Sequence, residues 1–592
     1  MRIASYPDRP QIEIMPKDRD EIVEILEEIA VLLQIKGENA FKIRAYENGA
    51  RALERTSDSL EVLIQEDRLQ DIDGVGKAIA EKVVTLFQTG KLDYYDNLRE
   101  EVPEGLREMA RISGLGGKSI HKIHKELGVE SLDSLREACE SGRVASMKGF
   151  GEKSAAKILK GLDNLEKFSQ RHLLSVAEEV ARPVVEGLRK LPSVQRAEIA
   201  GSLRRRKETV GDLDFIVASD EPEAVMDWFV SRDGVSEVTA HGKTKSSVRF
   251  EGGLQADLRV VSDVEFPAAL HHFTGSKDHN VQMRKRALEQ GLSLSEWGLQ
   301  KKGGDGDYES VADEEGLFER LGLKWIPPEL REGGWEIQRS EKDELPELVT
   351  YGDFRGALHN HTRASDGKGT LEEMAAAAED LGWEYLGIAD HSRSSFQANG
   401  LSEERLYEQL EQIRKFNSSG QSSVHIFAGT ECDILKDGDL DFSDELLAEM
   451  DYVVASIHQG GFGQDKDTVT RRIIRALEHP SVTLLAHPTG RLLLQRDPYP
   501  VDLAKVIDAA AANGKWIEIN AHPVRLDLDW REWDRARDKG VLACVNPDAH
   551  RPEGLAHLRY GVDMARKAGL TAGEIANTRN LAEMKKLLGC GK

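Results

Sequence analysis

Between residues 354 and 592 a short apolar run recurs seven times, and nearly every run stops at a histidine or a carboxylate. The runs are FRGALHN, YLGIAD, SVHIFAGTE, YVVASIH, VTLLAH, KWIEIN and VLACVNPDAH, and stretches of helical period such as TLEEMAAAAEDLG lie between them. Strand and helix alternating at that spacing call for parallel strands with helical crossovers, and so for an α/β barrel of seven strands. Nine ligand-type residues, His359, His361, Asp366, His391, Glu431, His458, His487, Asp548 and His550, fall at or just after the C-terminal ends of these runs. That end is the mouth where barrel sites are built. Imidazole mixed with carboxylate is a donor set suited to Zn²⁺, Mn²⁺ or Fe²⁺. Nine donors are too many for one ion and suit a cluster of about two or three, able to bridge a hydroxide and neutralise a phosphate. His522, in INAHP, is a further histidine at a run's end with no role in that pattern.

The front of the chain has a different texture. Up to about residue 175 apolar residues recur at helical spacing between glycine turns, beginning with EIVEILEEIAVLLQI. From about 195, RAEIAG, LDFIVAS, KSSVRF and QADLRVV are short runs of strand character. The stretch 331–353 is acidic, is broken by GG and LPEL, and reads as a linker. A chain of 592 residues is too long for a single core. No run nears the ~20 apolar residues of a membrane span. The N-terminus MRIASYPDRPQIE has no apolar signal core, and the four cysteines form no CxxC pair, so a cytoplasmic protein with reduced thiols is expected.

A net charge of −24 excludes a globally basic nucleic-acid binder, so any DNA contact must use local stripes. Lys148, Lys153, Lys157, Lys160, Lys167 and Arg171 form one such stripe, and Arg204, Arg205, Arg206 and Lys207 form another. Three glycine hairpins share one form: IDGVGKAIAEKV, ISGLGGKSIHKI and MKGFGEKSAAKI. In each an apolar residue precedes Gly-x-Gly (Gly74 and Gly76, Gly114 and Gly116, Gly149 and Gly151), and a lysine-bearing helix follows. Such glycines allow a tight turn that leaves N–H groups at a helix start, where a phosphate is favoured. The hairpins resemble helix-hairpin-helix motifs, which implies sequence-independent contact with the DNA backbone.

The segment GSLRRRKETVGDLDFIV carries the second chemistry. Asp212 and Asp214 alternate along a strand and so share one face, and Asp257 in QADLRVV can join them from a neighbouring strand. Three clustered carboxylates fit two Mg²⁺ or Mn²⁺ ions, one activating a 3′-hydroxyl and one holding a triphosphate. Gly201, Ser202 and the arginines that follow supply N–H, hydroxyl and guanidinium donors for phosphates.

With Gly201-Ser202 followed after nine residues by Gly211-Asp212, this segment resembles the palm of the family X DNA polymerases. The resemblance extends to HFTGSKDHNVQMRKRA. It implies Phe273 and Gly275 beside the incoming sugar, Asn280 at its base, Arg284 on the template side, and Ser202 and Arg205 on the triphosphate. His272 and Gln255 depart from the Tyr and Arg of animal relatives, which bears on sugar discrimination and on activation of the primer end. At the N-terminus, GVGKAIAEK resembles the family's lyase helix, implying Lys82 as a Schiff-base amine, with Lys42 and Tyr46 at a 5′-phosphate pocket; a lysine that only binds phosphate is the other reading. The nine barrel ligands resemble the PHP (polymerase and histidinol phosphatase) superfamily. In polymerase-linked members that resemblance implies a 3′–5′ exonuclease that in some cases cleaves abasic sites.

The expected map is a lyase-like helical domain over 1–97, a fingers-like helical domain over 98–178, and an α+β palm over 179–270. A thumb over 271–330, the linker 331–353 and the α/β PHP barrel over 354–592 complete it. The implied function is template-directed gap filling in base excision repair, on gapped or primed duplex DNA with dNTPs, by a monomer that needs no membrane. Two other readings stand beside it: a DNA-gripping scaffold that delivers a nuclease with little synthesis, and a small-molecule phosphatase barrel fused to a polymerase.

Overall fold

The computed structural model describes residues 19–56, 60–112, 114–168, 170–303 and 308–590. Its chain divides into two compact units, 1–167 and 168–592. The regular elements among the described residues of the first are helices. Helix α1 (Arg19–Lys36) buries Ile22, Leu26, Ile29 and Leu33 on one stripe, the spacing that turns a single face to a core. It packs on α2 (Ala40–Arg55), whose start is capped by the Asn39 side chain accepting from the Phe41 N–H. The helices that follow the three hairpins are α3 (Lys77–Thr89), α4 (Gly117–Leu127) and α5 (Glu152–Phe168). Of the basic stripe, the Lys167 side chain lies outside the described residues.

The second unit contains a five-stranded sheet. Its strands are β1 (Val194–Ile199), β2 (Asp212–Ser219), β3 (Val235–His241), β4 (Lys245–Phe250) and β5 (Gln255–Val261), in the order β1-β2-β5-β4-β3. Strand β2 is apolar from Phe215 to Ala218 and lies between β1 and β5, as a buried central strand should. Helices α6 (Phe266–Thr274) and α7 (Lys277–Glu289) follow, then a small two-stranded hairpin and a separate apolar cluster built on Met283, Leu317, Phe318 and Ile326.

Seven parallel strands then form a sheet in sequence order: β6 (Gly356–Ala357), β7 (Tyr385–Ile388), β8 (His425–Asp433), β9 (Tyr452–Ser456), β10 (Leu484–Leu485), β11 (Trp516–Asn520) and β12 (Ala543–Asn546). The sheet curls until its ends meet. Asn360 and Ala549 bridge in parallel just beyond β6 and β12, and the Asn546 side chain accepts from the Leu358 N–H at 2.8 Å. The described part of the barrel ends on helices that include α8 (Leu558–Lys567).

The stretch 331–353 does not behave as a linker. Arg331 is fully buried, donating to both oxygens of Glu314 and to the Ile326 carbonyl, and Glu336 is buried against His279 at 2.9 Å. Arg331, Glu332 and Glu336 find partners well separated in sequence, so the first part of a stretch whose composition looks solvated is in fact folded.

Candidate functional site

Strands β2 and β5 run parallel with Asp214 directly opposite Asp257, and Asp212 projects from the same face of β2 two residues earlier. The expected triad therefore meets on one sheet face. Burial, and then the charges of Asp212 and Asp257, push the Asp214 carboxyl up to about 7. Gly201, at φ +63°, turns the chain so closely over this face that a Cβ there would stand 2.2 Å from the Asp214 carboxylate. Only glycine fits. Ser202 is half-buried beside it. Lys245, on β4, reaches Asp257 at 2.6 Å and supplies a cation beside the triad, while Gln255 is exposed. Sequence reading missed Lys245; its signal is the two-residue alternation along β4 that sets it on the same face as Ser247, the partner of Asp257.

Arg205 pairs with Glu332 at 3.1 Å and lies 3.1 Å from where a Gly275 Cβ would stand. Phe273 is half-buried, with the Arg259 guanidinium 4.3 Å from its ring centre. Asn280 is buried and donates to the His272 carbonyl at 2.8 Å, and Arg284 is exposed. Gly211 is half-buried ahead of Asp212.

At the barrel mouth Glu431 is the hub. His391 Nδ1 lies 2.8 Å from it, His487 Nε2 2.9 Å, His458 Nε2 3.2 Å, His359 Nε2 3.4 Å and His361 Nε2 3.7 Å. Asp548 stands 3.2 Å from His361, and Asp366 3.5 Å from both His391 and His550. All nine expected residues meet here. Glu431 lies within β8 rather than at its end, and β11 contributes none of the nine. Three sets of donor atoms each close enough for one ion can be drawn: His361, Asp366, His391 and His550; His359, His361 and Asp548; His391, Glu431 and His458.

The donor set fits metal. His359 Nε2, both ring nitrogens of His361 and His391 Nδ1 are buried and face carboxylate oxygens at 2.8–4.0 Å without a hydrogen bond of good geometry, and buried polar atoms are seldom left so. Burial, then the nearby His550 and His391, bring His361 down to about 4, which keeps its imidazole neutral. Burial alone would raise Glu431 and Asp548, but the surrounding imidazoles hold both well below the usual carboxylate range. His487 and Asp548 sit at positive φ, +26° and +52°, backbone that persists only where neighbours hold it.

Sequence reading missed that surrounding shell. Glu518, in the middle of β11, accepts from His359 Nδ1 at 2.7 Å and from the His487 N–H at 2.8 Å. Asp433 accepts from His458 Nδ1 at 3.0 Å, and Asn520 donates to Asp548 at 3.0 Å. Fixing the outward nitrogen turns the other toward the cluster. A charged residue inside the apolar run KWIEIN was the available signal. The cluster opens into a cavity of about 280 Å³, also lined by Ser395, Gln397, Gln459 and Arg525.

In the helical unit, Gly74, Gly114 and Gly149 take φ of +100°, +83° and +89°. Gly76, Gly116 and Gly151 stand at the starts of α3, α4 and α5, where an added Cβ would meet nothing within 4 Å. At Gly76 and Gly116 φ is near −75°, which any residue adopts, so neither strain nor crowding inside the protein calls for glycine. Glycine is favoured over alanine at such helix starts, and it leaves the backbone open to a close approach from outside. Elsewhere in the unit Lys42 and Lys82 lie 5.5 and 5.2 Å from the Tyr94 ring, which stacks parallel to Tyr46 at 6.1 Å.

Family models described as helix-hairpin-helix domain, SAM-like helix-hairpin-helix tandem, DNA polymerase beta thumb and PHP domain match residues 17–92, 106–164, 269–332 and 357–522. The chain is 39% identical to "DNA polymerase/3'-5' exonuclease PolX" of Bacillus subtilis (strain 168), over 96% of this chain and 99% of that protein. It is 28% identical to DNA polymerase lambda of Rattus norvegicus over 44% of this chain and 48% of that one. A protein of Thermoanaerobacter sp. (strain X514) named "Probable phosphatase" is 28% identical over 39% of this chain and 92% of its own length. No helix among the described residues is long and apolar enough to cross a membrane. Helical hairpins, a polymerase thumb and a PHP barrel follow one another along the chain, and the likeness to the Bacillus protein runs nearly end to end; the chain belongs to the PolX family, the family X DNA polymerases that carry a PHP domain.

Proposed function

We propose that this chain fills short gaps in duplex DNA by template-directed nucleotidyl transfer and removes 3′-terminal nucleotides in its barrel, within base excision repair. One observation carries the reading: a carboxylate triad on one sheet face and a cluster of nine donor residues at the barrel mouth coexist in one compact unit. Divalent ions held by Asp212, Asp214 and Asp257, and by the nine barrel residues, would supply Lewis acidity and lower the pKa of the attacking hydroxyl or water.

The protein's own groups do the rest. The Gly201 and Ser202 donors with Arg205 bind the triphosphate of a dNTP. Phe273 and Gly275 border its sugar, Asn280 its base, and Arg284 faces the template. In the barrel, Glu518 and Asp433 fix the tautomers of His359 and His458, so that their Nε2 lone pairs face the cluster. Arg525, 3.4 Å from Asp548 at the cavity wall, is a cation available to a phosphodiester. In the helical unit, Gly74 with Gly76, Gly114 with Gly116 and Gly149 with Gly151 grip the DNA backbone. Lys42 binds the 5′-phosphate of a gap, Tyr46 is buried and backs the Tyr94 ring beside it rather than touching the phosphate, and Lys82 is the amine available to a 5′ sugar aldehyde.

Two double variants test the reading. Asp212→Ala/Asp214→Ala loses primer extension and keeps 3′ shortening, whereas His359→Ala/His361→Ala does the reverse. Extension by the first would sink the polymerase assignment, and full shortening by the second would sink the barrel assignment. Borohydride trapping of a 5′-deoxyribose-phosphate end, abolished by Lys82→Ala, tests the amine.

A further inference from the structure

Among the described residues three phenylalanines are exposed, Phe41 at 80%, Phe396 at 71% and Phe462 at 44%, and the last two lie in the two loops that supply Ser395, Gln397 and Gln459 to the cavity wall. Phe396 lies between Ser395 and Gln397, both in the cavity wall, in the loop after β7. Phe462 lies three residues beyond Gln459, another wall residue, in the loop after β9.

Neither ring hangs on a slack segment. The Ser395 hydroxyl donates to Asp433 at 2.6 Å, the Ser394 N–H donates to Asp441 at 2.6 Å, and Gln459 donates to the Ser394 carbonyl at 2.7 Å, so the two loops are tied to each other. Asn399 donates to the Ala364 and Ser365 carbonyls and closes the far side. Phe462 meets Tyr499 edge-on at 5.5 Å, and the Arg496 guanidinium stands 4.2 Å from its ring centre. Two exposed phenyl rings therefore stand on braced loops that also contribute to the wall around the histidines and carboxylates, Phe462 with Arg496 against its ring. Arg525 stands in the cavity wall and Arg393 is half-exposed on the Phe396 loop.

The cavity, about 280 Å³, is too small for a base-paired end. To bring a 3′-terminal phosphodiester onto the nine-ligand cluster, the last nucleotides must leave their partner strand and lose their stacking. Aromatic faces interleaved with arginines are the chemistry that replaces lost stacking while neutralising the backbone, without regard to sequence. A small phosphate monoester would have no use for them. We infer that Phe396 and Phe462 form a stacking subsite for the unpaired 3′-terminal nucleotides of a DNA strand, and so set the barrel's preference for frayed or mismatched ends. The inference rests on the exonuclease reading above.

The test is steady-state shortening of a 5′-labelled single-stranded oligonucleotide with Mn²⁺, by the full-length protein and by Phe396→Ala, Phe462→Ala and Phe396→Trp. Each alanine variant raises KM about tenfold with kcat nearly unchanged, the loss of one stacked base, while the tryptophan variant keeps the native KM. The alanine variants also lose most of the native preference for a mismatched over a paired 3′ end. Alanine variants with native KM, or a tryptophan variant as impaired as alanine, would overturn the subsite. No shortening by the native protein would overturn the exonuclease reading itself, and this inference with it.

Discussion

Lys567, at the end of barrel helix α8, donates a hydrogen bond at 2.9 Å to the main-chain carbonyl of Arg205, a residue 362 positions earlier in the chain. The same ammonium reaches Glu332, which accepts in turn from the Arg205 guanidinium at 3.1 Å. Burial brings Lys567 down to about 8 against the pull of Glu332. A barrel residue thus fixes the backbone and, through Glu332, the side chain of an arginine assigned to the triphosphate. Lys567→Met should raise the KM for dNTP about tenfold with a smaller change in kcat, since a displaced donor weakens binding first. It should also cost about 1–3 kcal/mol of stability, because the Arg205 carbonyl and Glu332 lose a buried donor while Glu332 keeps Arg205. Single-nucleotide extension kinetics and denaturant melts check the two.

The Asp214 carboxyl, raised to about 7 by burial and by Asp212 and Asp257, is protonated in the metal-free protein below neutrality. An acid raised above its unfolded value opposes folding increasingly as pH climbs from the unfolded pKa to the folded one, and no further above it. The metal-free protein should therefore lose stability from this group between about pH 4 and 7. Mn²⁺ binding by the triad should release a proton below pH 7, and its affinity should rise with pH until about 7 and then level off. Calorimetry in buffers of different ionisation enthalpy, on the His359→Ala/His361→Ala protein, reads the proton directly.

Glu518 touches two of the barrel ligands and should not touch a substrate. Glu518→Gln keeps the shape but allows the wrong His359 tautomer, and should cut exonuclease activity and metal affinity about 10–100-fold. Primer extension on the palm should stay at the native rate.

Because a Cβ meets nothing at Gly76, Gly116 or Gly151, alanine at each should cost less than about 1 kcal/mol of stability, the difference between the two residues at a helix start. Affinity for gapped duplex should nevertheless fall, and the slope of log K against log salt should shrink by about one for each phosphate the protein no longer neutralises. An unchanged salt slope in the triple variant would remove the hairpins from the DNA interface.

How much of this was legible in the sequence follows from where each constraint lives. The barrel could be read because metal chemistry restricts nine positions to histidine and carboxylate, and the strand-helix repeat fixes where they fall. The triad could be read because Asp212 and Asp214 share a face by the pleat alone; that Asp257 stands opposite Asp214 needed the parallel pairing of β2 with β5. Glu518 and Asp433 were missed because a residue that orients a ligand needs only one oxygen in the right place, and no spacing rule announces it. Lys245 escaped for the same reason. The stretch 331–353 was misread because the partners of Arg331 and Glu336, Glu314 and His279, are distant in sequence, and a buried ion pair has the composition of a solvated loop.

The most direct test of the central claim uses a one-nucleotide-gapped duplex with a 5′-phosphate and a labelled primer, incubated with the purified protein and Mn²⁺ with and without the templated dNTP. Two competent sites acting on one DNA end predict extension by one nucleotide when the dNTP is present and shortening when it is absent. Shortening whatever nucleotide is supplied would contradict the account and leave a nuclease that merely grips DNA with a polymerase-shaped front half.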